Sequence, residues 1–168
     1  RADGSFVVVW TSLWQDAEGT GVYGRRYDGN GLALGNEFRV NTEQNDDQGS
    51  ASVAITADDG FVVTWVSGTP GTTAVQAQRF AADGSRLNDE FTVRPANGTL
   101  AAGPSVAAGP GGKVVIVWDS EPQDGSGSGV YQQRFTSAEA VDHGVAFTED
   151  GGAVLLADAD AAISDLDG

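Results

Sequence analysis

One apolar run closed by tryptophan returns three times along this chain. It reads Phe6-Val7-Val8-Val9-Trp10, then Phe61-Val62-Val63-Thr64-Trp65, then Val114-Val115-Ile116-Val117-Trp118, with Trp-to-Trp steps of 55 and 53 residues. Other columns keep the same phase. Val22-Tyr23-Gly24-Arg25-Arg26-Tyr27 matches Val75-Gln76-Ala77-Gln78-Arg79-Phe80 and Val130-Tyr131-Gln132-Gln133-Arg134-Phe135. Glu37-Phe38-Arg39-Val40 matches Glu90-Phe91-Thr92-Val93, and Ser52-Val53-Ala54 matches Ser105-Val106-Ala107. A period of this size marks a repeat architecture, in which each unit buries its apolar surface against the next.

Each unit holds four runs of strand length, here named A (Ser-Val-Ala), B (ending in Trp), C (ending in Arg-aromatic) and D (Glu-Phe-x-Val). Turn residues separate them: Ala57-Asp58-Asp59-Gly60 between A and B, and Asp28-Gly29-Asn30-Gly31 and Asp83-Gly84 between C and D. Run B is nearly all apolar and β-branched, as expected of a strand covered on both faces. No run has a helical period with caps. The expected class is all-β, with tandem four-stranded antiparallel units resembling propeller blades. A β-sandwich or an open β-repeat array is the alternative. The first unit enters at run B with no run A before it, so the chain is expected to be a segment of a longer protein.

The repeats are expected to fill residues 1–136. All nine Lys and Arg lie in residues 1–134, while residues 136–168 carry eight Asp or Glu and no base. Residues 137–168 therefore read as an acidic linker followed by the start of a further module, or as a tail that completes the last unit. Val145-Ala146-Phe147-Thr148 is a candidate D run, one residue late by count.

Composition excludes some classes of function. A net charge of −15 is unsuited to nucleic acid, whose phosphates demand clustered Lys and Arg. No apolar run reaches the roughly 20 residues of a membrane-spanning helix. With no cysteine there is no disulfide, thiolate metal site or thiol nucleophile.

The motif Gly-Phe-Val-Val-x-Trp, then Ser-x-x-Gln-Asp-x-x-Gly-x-Gly-Val-Tyr-x-x-Arg-aromatic, then Glu-Phe-x-Val resembles repeats of very large bacterial surface and secreted proteins. These are the RTX-type adhesins and haemolysin-type calcium-binding proteins. The likeness covers residues 4–135, and the tail from Phe147 to Gly168 resembles the opening of a cadherin-like module. It implies an extracellular location, secreted or on the cell surface, and a place among neighbouring modules of one long chain. The glycine-aspartate nonapeptides that bind calcium in RTX proteins are absent here.

The B–C loops of the first and third units align residue for residue: Ser12, Gln15, Asp16, Gly19 and Gly21 with Ser120, Gln123, Asp124, Gly127 and Gly129. This resembles the Asp-box turn of sialidase-like propellers, which implies that Asp16 and Asp124 hold their turns by accepting amide hydrogen bonds. Arg26, Arg79 and Arg134 recur once per unit. That favours stems laid along their own blade, with heads stacked on Trp or paired with acids, over a carboxylate-gripping cluster. Trp10, Trp65 and Trp118 read as core anchors. Trp14 breaks the repeat and is the candidate surface contact. Asp158, Asp160, Asp165 and Asp167 are candidate ligands of a junctional calcium shared with a following module, making calcium the candidate cofactor. His143, the lone histidine, has no nucleophile arranged with it, and no catalytic residue is assigned.

The expectation is thus a structural or adhesive extracellular segment without catalysis. Its expected partners are neighbouring repeats, cell-surface glycans or proteins, and further copies of itself. The alternative is a carbohydrate-binding propeller of sialidase-like lectin type, with a glycosidase third because no converging carboxylates stand out.

Overall fold

The recurrent runs become strands in the expected order. A computed structural model describes residues 1–15, 19–121, 127–136 and, by backbone alone, 145–147. The first sheet comprises β1 (Phe6–Leu13), β2 (Thr20–Tyr27) and β3 (Phe38–Arg39). The second comprises β4 (Asp47–Ile55), β5 (Phe61–Thr69), β6 (Thr72–Phe80) and β7 (Arg86–Arg94). The third comprises β8 (Ala101–Ala108), β9 (Val114–Ser120), β10 (Gly129–Phe135) and β11 (Val145–Phe147). All three are antiparallel meanders whose strands pair in chain order. These are propeller-like blades, the first lacking its A strand among the described residues.

Register carries the repeat into three dimensions. Trp10 lies opposite Tyr23, Trp65 opposite Gln76 and Trp118 opposite Tyr131, the same column each time. Phe38 pairs with Gly24 and Phe91 with Ala77. In the third blade it is Val145, not Phe147, that pairs with the equivalent Gln132. Counting from Phe135 puts the D run one residue late. The pairing instead seats its phenylalanine two places beyond the column, because a strand can close on whichever residue its loop delivers.

Adjacent blades pack face to face through two apolar layers. Val22 and Val40 of the first blade meet Phe61, Val63, Trp65 and Phe80 of the second. Val62, Val75, Ala77 and Val93 of the second meet Val114, Ile116, Trp118, Tyr131 and Phe135 of the third. Period-two alternation explains this: Phe61, Val63 and Trp65 point to one neighbour and Val62 to the other. An aromatic contact recurs at each seam, with ring centroids 5.4 Å apart for Phe38–Phe80 and 5.1 Å for Phe91–Phe135. The expectation that every B strand is covered on both faces holds only for β5, because only the middle blade has a described neighbour on each side.

Aspartates close the turns. Asp28 Oδ1 accepts from the amides of Asn30 (2.9 Å) and Leu32 (2.8 Å). Asp58 Oδ1 accepts from Thr56 Oγ1 at 2.5 Å and the Gly60 amide at 3.3 Å. Asp83 Oδ1 accepts from Ser85 Oγ at 2.7 Å and the Ser85 amide at 2.8 Å. The Thr56 hydroxyl holds the Asp58 carboxyl below the usual aspartate range, and the Ser85 hydroxyl does the same for Asp83. A carboxyl depressed in the folded state stabilises the fold above its unfolded pKa, and that contribution is lost as pH falls through the folded value. The urea midpoint should therefore decline below about pH 4. The decline should be smaller in Asp58→Asn, and an equal decline in that variant would place the acid sensitivity elsewhere.

Candidate functional site

The two ends of the blades differ in chemistry. At one end lie the A–B and C–D turns. There Arg26 donates from Nη1 to the Ala82 carbonyl at 2.9 Å and from Nη2 to the Leu34 carbonyl at 3.3 Å. Its stem lies over Gly84, where φ is +87° and an added Cβ would stand 2.8 Å from Arg26 Nε. The head thus ties the first blade to a turn of the second and stands near the acid of that turn, Asp83, whose carboxyl it helps depress; the expected acid neighbour is present, though on the next blade. A guanidinium carries five donors in a fixed fork and so satisfies two carbonyls at once. Arg79 stands near Asp58, whose carboxyl it helps depress. Arg134 is exposed. Arg26 thus builds a seam at this end and Arg79 stands beside its turn, and no arginine of the column lines the cleft described next.

At the other end the B–C hairpins meet the D-to-A crossings. Each crossing is pinned by a buried polar side chain at the same repeat position. Asn41, fully buried, accepts from the Val22 amide (2.9 Å) and donates to the Glu43 carbonyl (2.7 Å) and Gln48 Oε1 (3.0 Å). Gln48 donates onward to the carbonyls of Asn45 (2.5 Å) and Asp46 (3.0 Å). Arg94 takes Asn41's place in the second crossing. It donates to the Thr73 and Thr99 carbonyls, Thr99 Oγ1, Asn97 Oδ1 and Ser120 Oγ. Burial pulls its pKa down.

Between these crossings is a cleft of about 270 Å³ lined by Thr20, Asp47, Gly49, Ser50, Val66, Gly68, Thr69, Pro70 and Thr73. Asp47 opens β4. Its Oδ1 accepts from the Thr20 amide at 3.0 Å and Thr20 Oγ1 at 3.1 Å, which orients the carboxylate and leaves Oδ2 for an incoming donor. The flanking backbone is bent: Asp46 and Ser50 have φ of +63° and +53°, and β4 bulges between Gly49 and Ser52. The third blade bulges at the same place, between Ala102 and Ser105, where Gly103 supplies φ +53°. Bulges re-aim side chains and gather beside functional sites, and left-handed backbone at Ser50 is a strain that glycine avoids. Thr20, Thr69, Thr73 and Ser50 add hydroxyls, while Val66 and Pro70 add apolar surface. One oriented carboxylate among neutral hydroxyls beside an apolar wall suits a polyol better than a charged ligand.

Trp14 lies in the B–C hairpin at this same end. It is 75% exposed with φ +63°, and its amide donates to the Gly19 carbonyl at 3.0 Å. The sequence singled it out; Asp47 and the Thr20 and Thr73 hydroxyls were missed. The threonines were detectable, since both stand two residues before a recurrent Val. Asp47 was not, because Leu100 holds its position in the next unit. Gln15 donates to Glu37 Oε1, and Gly19 and Gly127 both have positive φ, +68° and +96°. Asp16, Asp124, His143, Asp158, Asp160, Asp165 and Asp167 lie outside the described residues. Among the described residues no group of three His, Asp or Glu could hold a metal ion.

No family model matches the chain, and no curated protein matches it significantly. Among solved structures, it is similar to the endo-arabinase from Bacteroides thetaiotaomicron VPI-5482, with a TM-score of 0.60 and 15% identity over 86% of this chain. The chain spans 57% of the length of that enzyme. The expectation of a non-enzymatic structural or adhesive segment is corrected by this likeness. That expectation rested on the regularity of the repeats and the lack of a visible constellation, yet blades of this kind also build the scaffold of a carbohydrate-cleaving enzyme. Regularity resides in the seams, whereas a site is assembled from strand ends and loops that do not repeat. The chain is therefore an all-β array of propeller-like blades, similar in fold to an endo-arabinase.

Proposed function

We propose that this chain is part of a carbohydrate-active propeller. It grips a glycan at the cleft end of its blades and, in the intact assembly, takes part in hydrolysing it. The observation that carries this is the Asp47 carboxylate, fixed through one oxygen by Thr20 in a hydroxyl-lined cleft, on blades similar to those of an endo-arabinase. Sugar hydroxyls would donate to Oδ2 and accept from the threonine hydroxyls, while Trp14 offers a flat face to a sugar ring. Glycoside hydrolysis requires two carboxylates about 5–10 Å apart; Asp47 is assigned as one of them. Polymeric glycans are met outside the cell, so an extracellular location belongs to this reading. So does the resemblance to modules of large exported bacterial proteins.

Affinity electrophoresis and reducing-end release on a panel of polysaccharides including arabinan test it. Retardation by at least one polysaccharide is expected. Asp47→Asn should weaken that retardation about tenfold or more, as loss of a charge-assisted hydrogen bond would. Wild-type affinity in Asp47→Asn, or no retardation by any polysaccharide, would refute it.

A further inference from the structure

The second crossing, between β7 and β8, holds a buried charge with no counter-charge. Arg94 is 4% exposed, and its guanidinium donates only to neutral groups: the Thr73 and Thr99 carbonyls, Thr99 Oγ1, Ser120 Oγ and Asn97 Oδ1. Its Nε is buried without an acceptor. A charge withdrawn from water is costly unless an opposite charge meets it, and no carboxylate among the described residues bonds to this one.

One of its acceptors can become a carboxylate. Asn97 precedes Gly98. An asparagine amide followed by glycine is open to attack by the glycine's backbone nitrogen, because no Cβ stands over the approach. Both residues are exposed, and nothing lies within 4 Å of where a Gly98 Cβ would be. Asn97 Oδ1 accepts from Arg94 Nη2 at 2.7 Å and from Thr99 Oγ1 at 2.8 Å. These two donors stand where negative charge gathers as the amide carbon is attacked, the arrangement of an oxyanion hole. The Gly98 amide donates to Thr72 Oγ1 at 3.3 Å, which gives its proton a way out to water.

From this geometry we infer that Asn97 is a self-modifying site, converting to aspartate and so supplying Arg94 with its missing partner. The Gly98 nitrogen loses its proton and bonds to Asn97 Cγ. The side-chain nitrogen departs as ammonia, leaving a five-membered imide. Water then adds at Cγ, and the bond from the Gly98 nitrogen to Cγ breaks. The net change exchanges water for ammonia. Both donors polarise the Cγ carbonyl and not the main-chain one, so reopening is directed to Cγ and gives aspartate instead of isoaspartate. The ion pair tightens a crossing that also holds Thr73, a wall of the cleft.

The other Asn-Gly pair, Asn30-Gly31, is a control within the same chain. It is also exposed, but no donor among the described residues reaches Asn30 Oδ1. The Gly31 amide is engaged by the Asp28 carbonyl at 3.0 Å. The full chain is aged in warm neutral buffer and digested. Mass spectrometry follows the exchange of amide for acid at both sites, with electron-transfer fragmentation to separate aspartate from isoaspartate. Asn97 should convert about tenfold faster than Asn30, a modest share of what oxyanion donors give an enzyme, and chiefly to aspartate. In urea the two rates should converge. Thr99→Val should slow the step at Asn97 and Thr99→Ser should preserve it. Asn97→Asp should melt about 3 °C above the wild type, as a gained charge-assisted hydrogen bond would give. Equal rates in the folded chain, a predominance of isoaspartate, a rate indifferent to Thr99→Val, or an Asn97→Asp variant melting at or below the wild type would overturn the inference.

Discussion

Trp65→Ala should cost about 3–5 kcal/mol, the usual range for emptying a buried large aromatic site, while Trp10→Ala should cost about 1 kcal/mol, the typical value for a partly exposed position. The two residues occupy the same repeat column, opposite Gln76 and Tyr23, so local strand geometry cannot separate them. The neighbour does. Trp65 is 1% exposed and sits in the layer between the first two blades with Val22, Val40 and Phe80. Trp10 faces outward from the first blade, beside the exposed Phe6 and Val8. Removing Trp65 leaves a cavity bounded by two sheets that cannot collapse without separating, so it forfeits both transfer and packing energy. Chemical denaturation of both variants checks this. Equal losses would mean that each tryptophan stabilises only its own sheet and that blade-to-blade packing contributes little.

Asn41→Leu should cost about 3 kcal/mol, close to the first effect though no large apolar side chain is lost. Leucine has similar volume but leaves the Val22 amide and Gln48 Oε1 without their partner, each inside the protein. An orphaned buried group costs about 1–3 kcal/mol, and two are orphaned here. The damage extends to the cleft, because Gln48 follows Asp47 directly and ties down the Asn45 and Asp46 carbonyls. Glycan affinity should therefore fall in Asn41→Leu even where the protein stays folded. Urea titration followed by affinity electrophoresis at a folded temperature separates the two losses. A loss below about 1 kcal/mol would show that water takes over the orphaned groups.

The fold was legible because its determinants repeat. Trp65 and Trp118, Phe38 and Phe91, and Val22 and Val75 do the same work at the same step in successive blades, and strands A to D follow from their columns. The cleft end was not legible, for a physical reason. Asn41 and Arg94 share a column and a job, pinning a crossing, but one is a neutral amide and the other a guanidinium, so sequence comparison sees only a mismatch. Ser50 and Gly103 share φ +53°, yet nothing about a serine announces a left-handed backbone. Asp47 matters through its hydrogen bonds to Thr20, a residue 27 positions earlier on another sheet. The arginine column was read in part: Arg79 stands near Asp58 and Arg26 near Asp83, but the sequence did not show that Arg26 reaches Asp83 across the seam, in the turn of the next blade.

A crystal structure of the chain soaked with an arabino-oligosaccharide, or with the best-binding glycan of the panel, bears most directly on the carbohydrate-active reading. The account predicts a sugar in the cleft between Thr20 and Thr73, with a hydroxyl donating to Asp47 Oδ2. A sugar bound only at the Arg26 end of the blades, or a glycan that binds in solution without touching Asp47, would contradict it.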